Sequence, residues 1–172
     1  MKAQPLEKSS SRGVFKNVAL DMRRYKNLEL FVHAEDLKDV NSSNYDEDAK
    51  FFIRFGSDAT DNYYEYEASL KYTAKNARSP LEIWPSENTV NLAIQNFVDA
   101  KLRRDVNFPT GIDIRREDIE YGAQDPHKKI YIKGRPSLGS VTTIMLGVRN
   151  KNSLINKEVV LWVNEIRLSE IE

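Results

Sequence analysis

The chain has 172 residues, with 26 Lys+Arg against 26 Asp+Glu and a sequence pI near 6.8. That length suits one hydrophobic core, and a formal net charge of zero supplies no global field for nucleic acid or an anionic lipid surface. Cysteine is absent, which excludes disulfides, thiol catalysis and cysteine-ligated zinc, and no apolar run of about 18 residues is present to form a transmembrane helix.

In chain order, Met1 to Arg12 is polar, lacks the apolar core of a signal peptide, and reads as a flexible lead over 1–12 to a single domain over 13–172. The initiator methionine followed by Ser9-Ser10-Ser11 suggests the edge of an excised piece of a larger protein. Gly13 to Leu20 is predicted as a strand, and Asp21 caps a short turn. Leu28, Leu30, Val32 and Ala34 then alternate with Glu29, Phe31 and His33, the period of a half-buried strand. The acidic stretch from Asp36 to Asp48 predicts an exposed loop.

Lys50 to Phe55 and Tyr63 to Leu70, separated by the turn Gly56 to Asn62, predict an antiparallel pair. Its second strand sends Tyr64, Tyr66, Ala68 and Leu70 to one face and Tyr63, Glu65, Glu67 and Ser69 to the other. Ser79 to Pro85 reads as a proline-bracketed extended segment, and Asn88 to Leu92 as a short edge strand. Ala93 to Asp105 is the one predicted amphipathic helix, with Ile94, Phe97, Val98 and Leu102 inward and Gln95, Lys101, Arg103 and Arg104 left for solvent.

Asn107 to Gly122 carries only a hint of a strand, around Ile112 to Ile114. Lys129 to Lys133 and Val141 to Arg149 are further strands, and Glu158 to Leu168 is the last. In that last strand Val159, Leu161 and Val163 share one face, while Val160, Trp162, Ile166 and Leu168 share the other. Two apolar faces place it in the middle of the body, covered on both sides. Many short strands and little helix predict a mostly β, antiparallel β-sandwich of jelly-roll-like, carbohydrate-binding-module-like form. A membrane barrel fits the strand lengths, but its wet interior does not suit a final strand that is apolar on both faces.

Few constellations carry chemistry. Asp58, Asp61 and Asn62 put hard oxygens in one turn, as Ca²⁺ requires, although Asp and Asn also form turns unaided, and a solvated turn is the default. Glu65 and Glu67 stand about 7 Å apart on one strand face, near the spacing of glycosidase carboxylates, a spacing any alternating strand supplies. A polar sheet surface is therefore expected there. His33 and His127 match no zinc motif, and the glycines build no phosphate loop, so no cofactor is assigned. The aromatic group Tyr63, Tyr64, Tyr66, Tyr72 and Trp84 reads first as core and second as a sugar-stacking or protein-anchoring surface. The candidate ligand or partner contacts are Tyr63, Glu65 and Trp84.

Several phrases in order resemble the SprA (Sov) family of Bacteroidetes gliding-motility and type IX secretion proteins. They are Arg12 to Asn17, Leu20 to Lys26, Leu30 to Glu35, Phe52 to Asp58, Asn62 to Glu67, Ile83 to Asn88, Leu146 to Asn150 and Trp162 to Leu168. The resemblance implies a soluble, non-enzymatic domain of a large outer-membrane protein translocon, lying on the cell-surface side. Its partners would be other parts of the same machine and their partner proteins, with no nucleic acid. A weaker likeness, to jelly-roll carbohydrate-binding modules, rests on the closing strand and makes glycan the alternative partner. Asn164 replaces the aspartate that in such modules helps hold calcium, which makes calcium less expected here.

Overall fold

The computed structural model describes residues 1–171. Among these the chain forms β1 (Lys2–Leu6), β2 (Ser11–Leu20), β3 (Tyr25–Asp36), β4 (Tyr45–Gly56) and β5 (Tyr63–Lys71). There follow α1 (Pro80–Ile83), β6 (Val90–Ala93), α2 (Gln95–Asn107), β7 (Arg116–Glu117), α3 (Ile119–Gly122), β8 (Lys128–Lys133), β9 (Val141–Asn150) and β10 (Lys157–Ile171). One sheet has the order β1-β10-β3-β6, the other β2-β9-β4-β5-β8-β7, and the ladders are antiparallel throughout. Successive strands from β1 to β4 change sheet at every step, and the first and last strands pair. The two antiparallel sheets stack as a sandwich, as the strand pattern predicts.

The core forms where the two inner faces meet. Phe51, Ile53 and Phe55 of β4 and Tyr64, Tyr66, Ala68 and Leu70 of β5 pack against Leu28, Leu30, Val32 and Ala34 of β3 and Val159 and Leu161 of β10. Each fully buried large side chain contributes about 1.5–3 kcal/mol relative to exposure. The helix α2 plugs one end: Phe97 meets the rings of Phe55 and Tyr64 edge-on at 4.8 and 5.9 Å.

Several expectations change. The lead 1–12 is not a flexible tail: β1 pairs with β10, and Ala3 and Leu6 are fully buried. Ala3 and Leu6 stand among polar neighbours, which masks their inward period in the sequence. On α2, Leu102 is 59% exposed, whereas Arg104 is buried and bonds Asp105. The helix therefore leans on its Phe97–Ala100–Arg104 face, using the arginine stem as apolar cover. Segment 79–85 is not wholly extended. Ser79 accepts from the Glu82 N–H and Glu82 reaches back to Ser79, a capping box with Pro80 at the first helical position.

The largest change concerns β10, which is covered on one face only. Up to Asn164 its partners on β3 run Trp162↔His33 and Asn164↔Phe31, and after a bulge they run Arg167↔Glu29 and Leu168↔Leu28. The extra residue, with Glu165 at φ 51°, reverses which parity points inward. Leu168 consequently packs on the core, while Trp162 and Ile166 face water.

On the six-stranded sheet's outer face Phe52 lies flat across glycines. A Cβ at Gly147 would come within 2.3 Å of the Phe52 ring and 2.4 Å of the Arg12 carbonyl oxygen. Gly147→Ala should therefore cost about 1–3 kcal/mol, read as a lower urea midpoint at unchanged slope.

Candidate functional site

The outer face of β5 was expected to be a polar surface. Instead Glu65 and Glu67 are closed off completely, Glu65 at 0% exposure. Two buried carboxylates without partners would be very costly, and the sheet supplies cations around them. Arg54, opposite Glu65 on β4, bonds its carboxylate and the Ala59 carbonyl. Arg149 of β9 bonds both glutamates, at 3.1 and 3.3 Å to Glu65 and closer to Glu67. Arg115, just before β7, reaches Glu65 and lies 3.3 Å from Glu67, with its guanidinium 3.3 Å from the centre of the Tyr131 ring. Lys151 closes the group on Glu67, and the Tyr131 hydroxyl, 3.4 Å away, donates to it.

Four cations thus face two carboxylates, and the electrostatics follow that imbalance. Burial alone would raise the Glu65 pKa, but the Arg149 hydrogen bonds and the charges of Arg115, Arg149 and Arg54 outweigh it and bring the carboxyl down to about 2. Burial, then the like charges of Lys50, Arg115 and Arg149, push Lys151 down to about 8. A carboxyl held ionised under arginines has no proton to give as a general acid.

Tyr63 belongs to the same cluster and is buried, its ring 4.3 Å below the Arg54 guanidinium. It offers no platform to a ligand. Tyr64, Tyr66 and Tyr72 are buried as well, in agreement with the core reading of the tyrosines. In the 57–62 turn the Asp58 carboxylate accepts from the N–H groups of Thr60, Asp61 and Asn62 and from the Asn62 side chain. Burial opposes ionisation there, but the Asp61 and Asn62 hydrogen bonds prevail and hold its pKa well below the usual range. Asp61 pairs with Lys133 and the Asn62 oxygen accepts from Arg135 N–H, so all three residues serve the turn.

Trp84 lies on the opposite side of the sandwich, far from Tyr63 and Glu65 in the fold. It is half-buried beside His33, ring centres 5.7 Å apart and edge-on. The Ile83 carbonyl lies 2.6 Å from His33 Nδ1 and accepts from the Thr73 hydroxyl at 3.3 Å, which ties the α1 turn to β3. His33 Nε2 stands 2.8 Å from Glu35. Across from Trp84, Trp162 is 60% exposed. The two indoles, with His33, Glu35, Thr73 and Lys75, line a groove of about 370 Å³. Phe31, two residues from His33 on the same sheet face, is also exposed.

A family model described as a motility related/secretion protein, SprA_N, matches residues 1–172. The chain belongs to this family. No curated protein sequence matches it. The family resemblance read from the ordered phrases is thereby established, and it links the domain to motility and secretion. The phrases on which the sequence resemblance rests fall at both places just described: Phe52 to Asp58 and Asn62 to Glu67 contribute to the ion cluster, while Leu30 to Glu35, Ile83 to Asn88 and Trp162 to Leu168 contribute to the groove.

Trp162, Phe31 and the four cations escaped the sequence reading. Arg54 was within reach, because a hairpin pairing Gly56 with Tyr63 sets Arg54 opposite Glu65. Arg115, Arg149 and Lys151 come from distant segments and leave no local signal.

Two outcomes test these assignments. The Glu65 pKa falls from its ordinary 4.5 to about 2, so its contribution is present above pH 4.5 and lost as pH drops towards 2. That contribution is on the order of 3 kcal/mol. Glu65→Gln should be less stable at pH 7 and should flatten the acid limb of a stability–pH curve measured by urea unfolding. Separately, in a Trp162→Phe background that leaves Trp84 as the one tryptophan, His33→Leu should free the α1 turn, shifting Trp84 emission to the red and increasing iodide quenching.

Proposed function

We propose that this domain is a non-catalytic contact module of a secretion and motility machine. Its parent chain sits in the outer membrane, and the domain lies on the cell-surface side. One observation carries the reading: Trp162 of the Trp84 groove and Phe31, on the same face of the smaller sheet, both stand open to water. Open aromatic clusters of this kind serve as anchors for macromolecular contact. The glutamates at glycosidase spacing support the same reading from the other side, since both are sealed under arginines and one is held ionised. Side chains in that state hold strands together. The contacts would be made with other parts of the machine and with proteins that pass through or regulate it.

The test is a Trp162→Arg substitution in the full-length parent protein. Secretion into the medium and spreading on agar should both fall at least tenfold, with parent abundance and outer-membrane fractionation unchanged. Normal secretion and spreading would reject the reading.

The two-indole groove favours a second reading, a saccharide stacked between Trp84 and Trp162 with Glu35 and Lys75 at its hydroxyls. Calorimetric titration with cell-surface oligosaccharides decides between them. Affinity that disappears in Trp84→Ala would replace the protein-contact reading with a glycan one, and absence of heat would exclude the sugar.

A further inference from the structure

The strand β2 ends the six-stranded sheet. Its ladder with β9 runs without a break from Ser11↔Arg149 to Asn17↔Thr143, and its other edge has no backbone partner among the described residues. Sheet edges are ordinarily kept short, bulged or covered. The opposite edge of this sheet, β7, has two residues, and β1 and β6 have five and four. Where β10 runs on past β1, a bulge interrupts it. In β2, ten residues long, the register shift comes only after Asn17, and every residue from Ser11 to Asn17 is exposed.

Its apolar side chains are open on both faces. Val14 is 58% exposed and Phe15 is 65% exposed, and neighbours along a strand point to opposite sides of the sheet. A ligand on one face would leave the other side chain wet. A further strand, alternating as β2 does, covers both while pairing the free N–H and C=O groups.

The charges select which strand. Arg12, Val14 and Lys16 share one face, opposite Val148, Leu146 and Ile144. Neither cation forms an ion pair among the described residues. Pairing with β2 of a second copy about Val14 would set Arg12 opposite Lys16, like charge on like charge, which disfavours self-association. Carboxylates four residues apart on an added strand would lie about 13 Å apart and fall opposite both cations.

We propose that β2 is the acceptor edge for an extended segment of a protein partner, which adds a strand beyond β2 and sets acidic side chains opposite Arg12 and Lys16. This deepens the protein-contact reading and rests on it. The probe is a synthetic ten-residue peptide of alternating valine and threonine, with two glutamates four positions apart on one face. Binding is followed by fluorescence anisotropy and amide hydrogen exchange.

The peptide should slow exchange at least tenfold within 11–17. The double variant R12E/K16E should weaken it at least tenfold, and a peptide with lysines in place of its glutamates should recover that loss. N-methylation of the backbone edge facing β2 should abolish binding. Both positions are on an exposed strand, and circular dichroism of the double variant confirms its fold. Equal binding of glutamate and lysine peptides, protection elsewhere, or no binding at millimolar peptide would overturn the proposal. If Trp162→Arg still stops secretion while the peptide leaves β2 unprotected, strand addition is wrong and the contact reading stands.

Discussion

Two carboxylates that never meet water set the terms for the larger sheet. Glu65 and Glu67 stand on the central strand β5, whose other face is packed into the core. A charge so placed must be matched by groups the chain can bring within hydrogen-bond reach. Arg54, Arg115, Arg149 and Lys151 come from β4, the segment before β7, β9 and the turn beyond it, and Tyr131 comes from β8. The cluster therefore ties four separate stretches of chain to one strand. Its value is in register: sliding β5 by one residue would drive the glutamates into the apolar core and the tyrosines out of it.

That closure divides the molecule by task. On the larger sheet charge is spent internally, with guanidiniums stacked on Phe52, Tyr63 and Tyr131 and glycines letting Phe52 lie flat. The smaller sheet leaves its outer face open, with aromatic and apolar residues around a groove. Without the bulge in β10, Leu168 and Trp162 would share a face, and the strand would have no well-defined inside. The bulge lets the sequence bury Leu168 and present Trp162.

Membership in a motility and secretion family gives these surfaces a setting. Both open features are of a kind suited to macromolecular contact. Trp162 offers apolar area on a sheet face, and β2 offers main-chain hydrogen bonds at a sheet edge. The two lie on different sheets, so they are able to act on different neighbours.

The sequence by itself determined the class of fold and most of its strands, because a two-residue alternation is a local property that survives in any tertiary setting. It paired β4 with β5, placed the tyrosines in the core, and marked the family through phrases in order. It did not reach β1, whose two buried side chains are hidden among polar ones, nor the Arg104 face of α2. Tertiary structure alone decided which face of β10 is covered, since a single extra residue changes parity without changing composition. It also turned Glu65 from a surface candidate into a buried ion, because its partners converge from segments up to 84 residues away. Pairing over such distances depends on how the sheets close, and no local pattern records it.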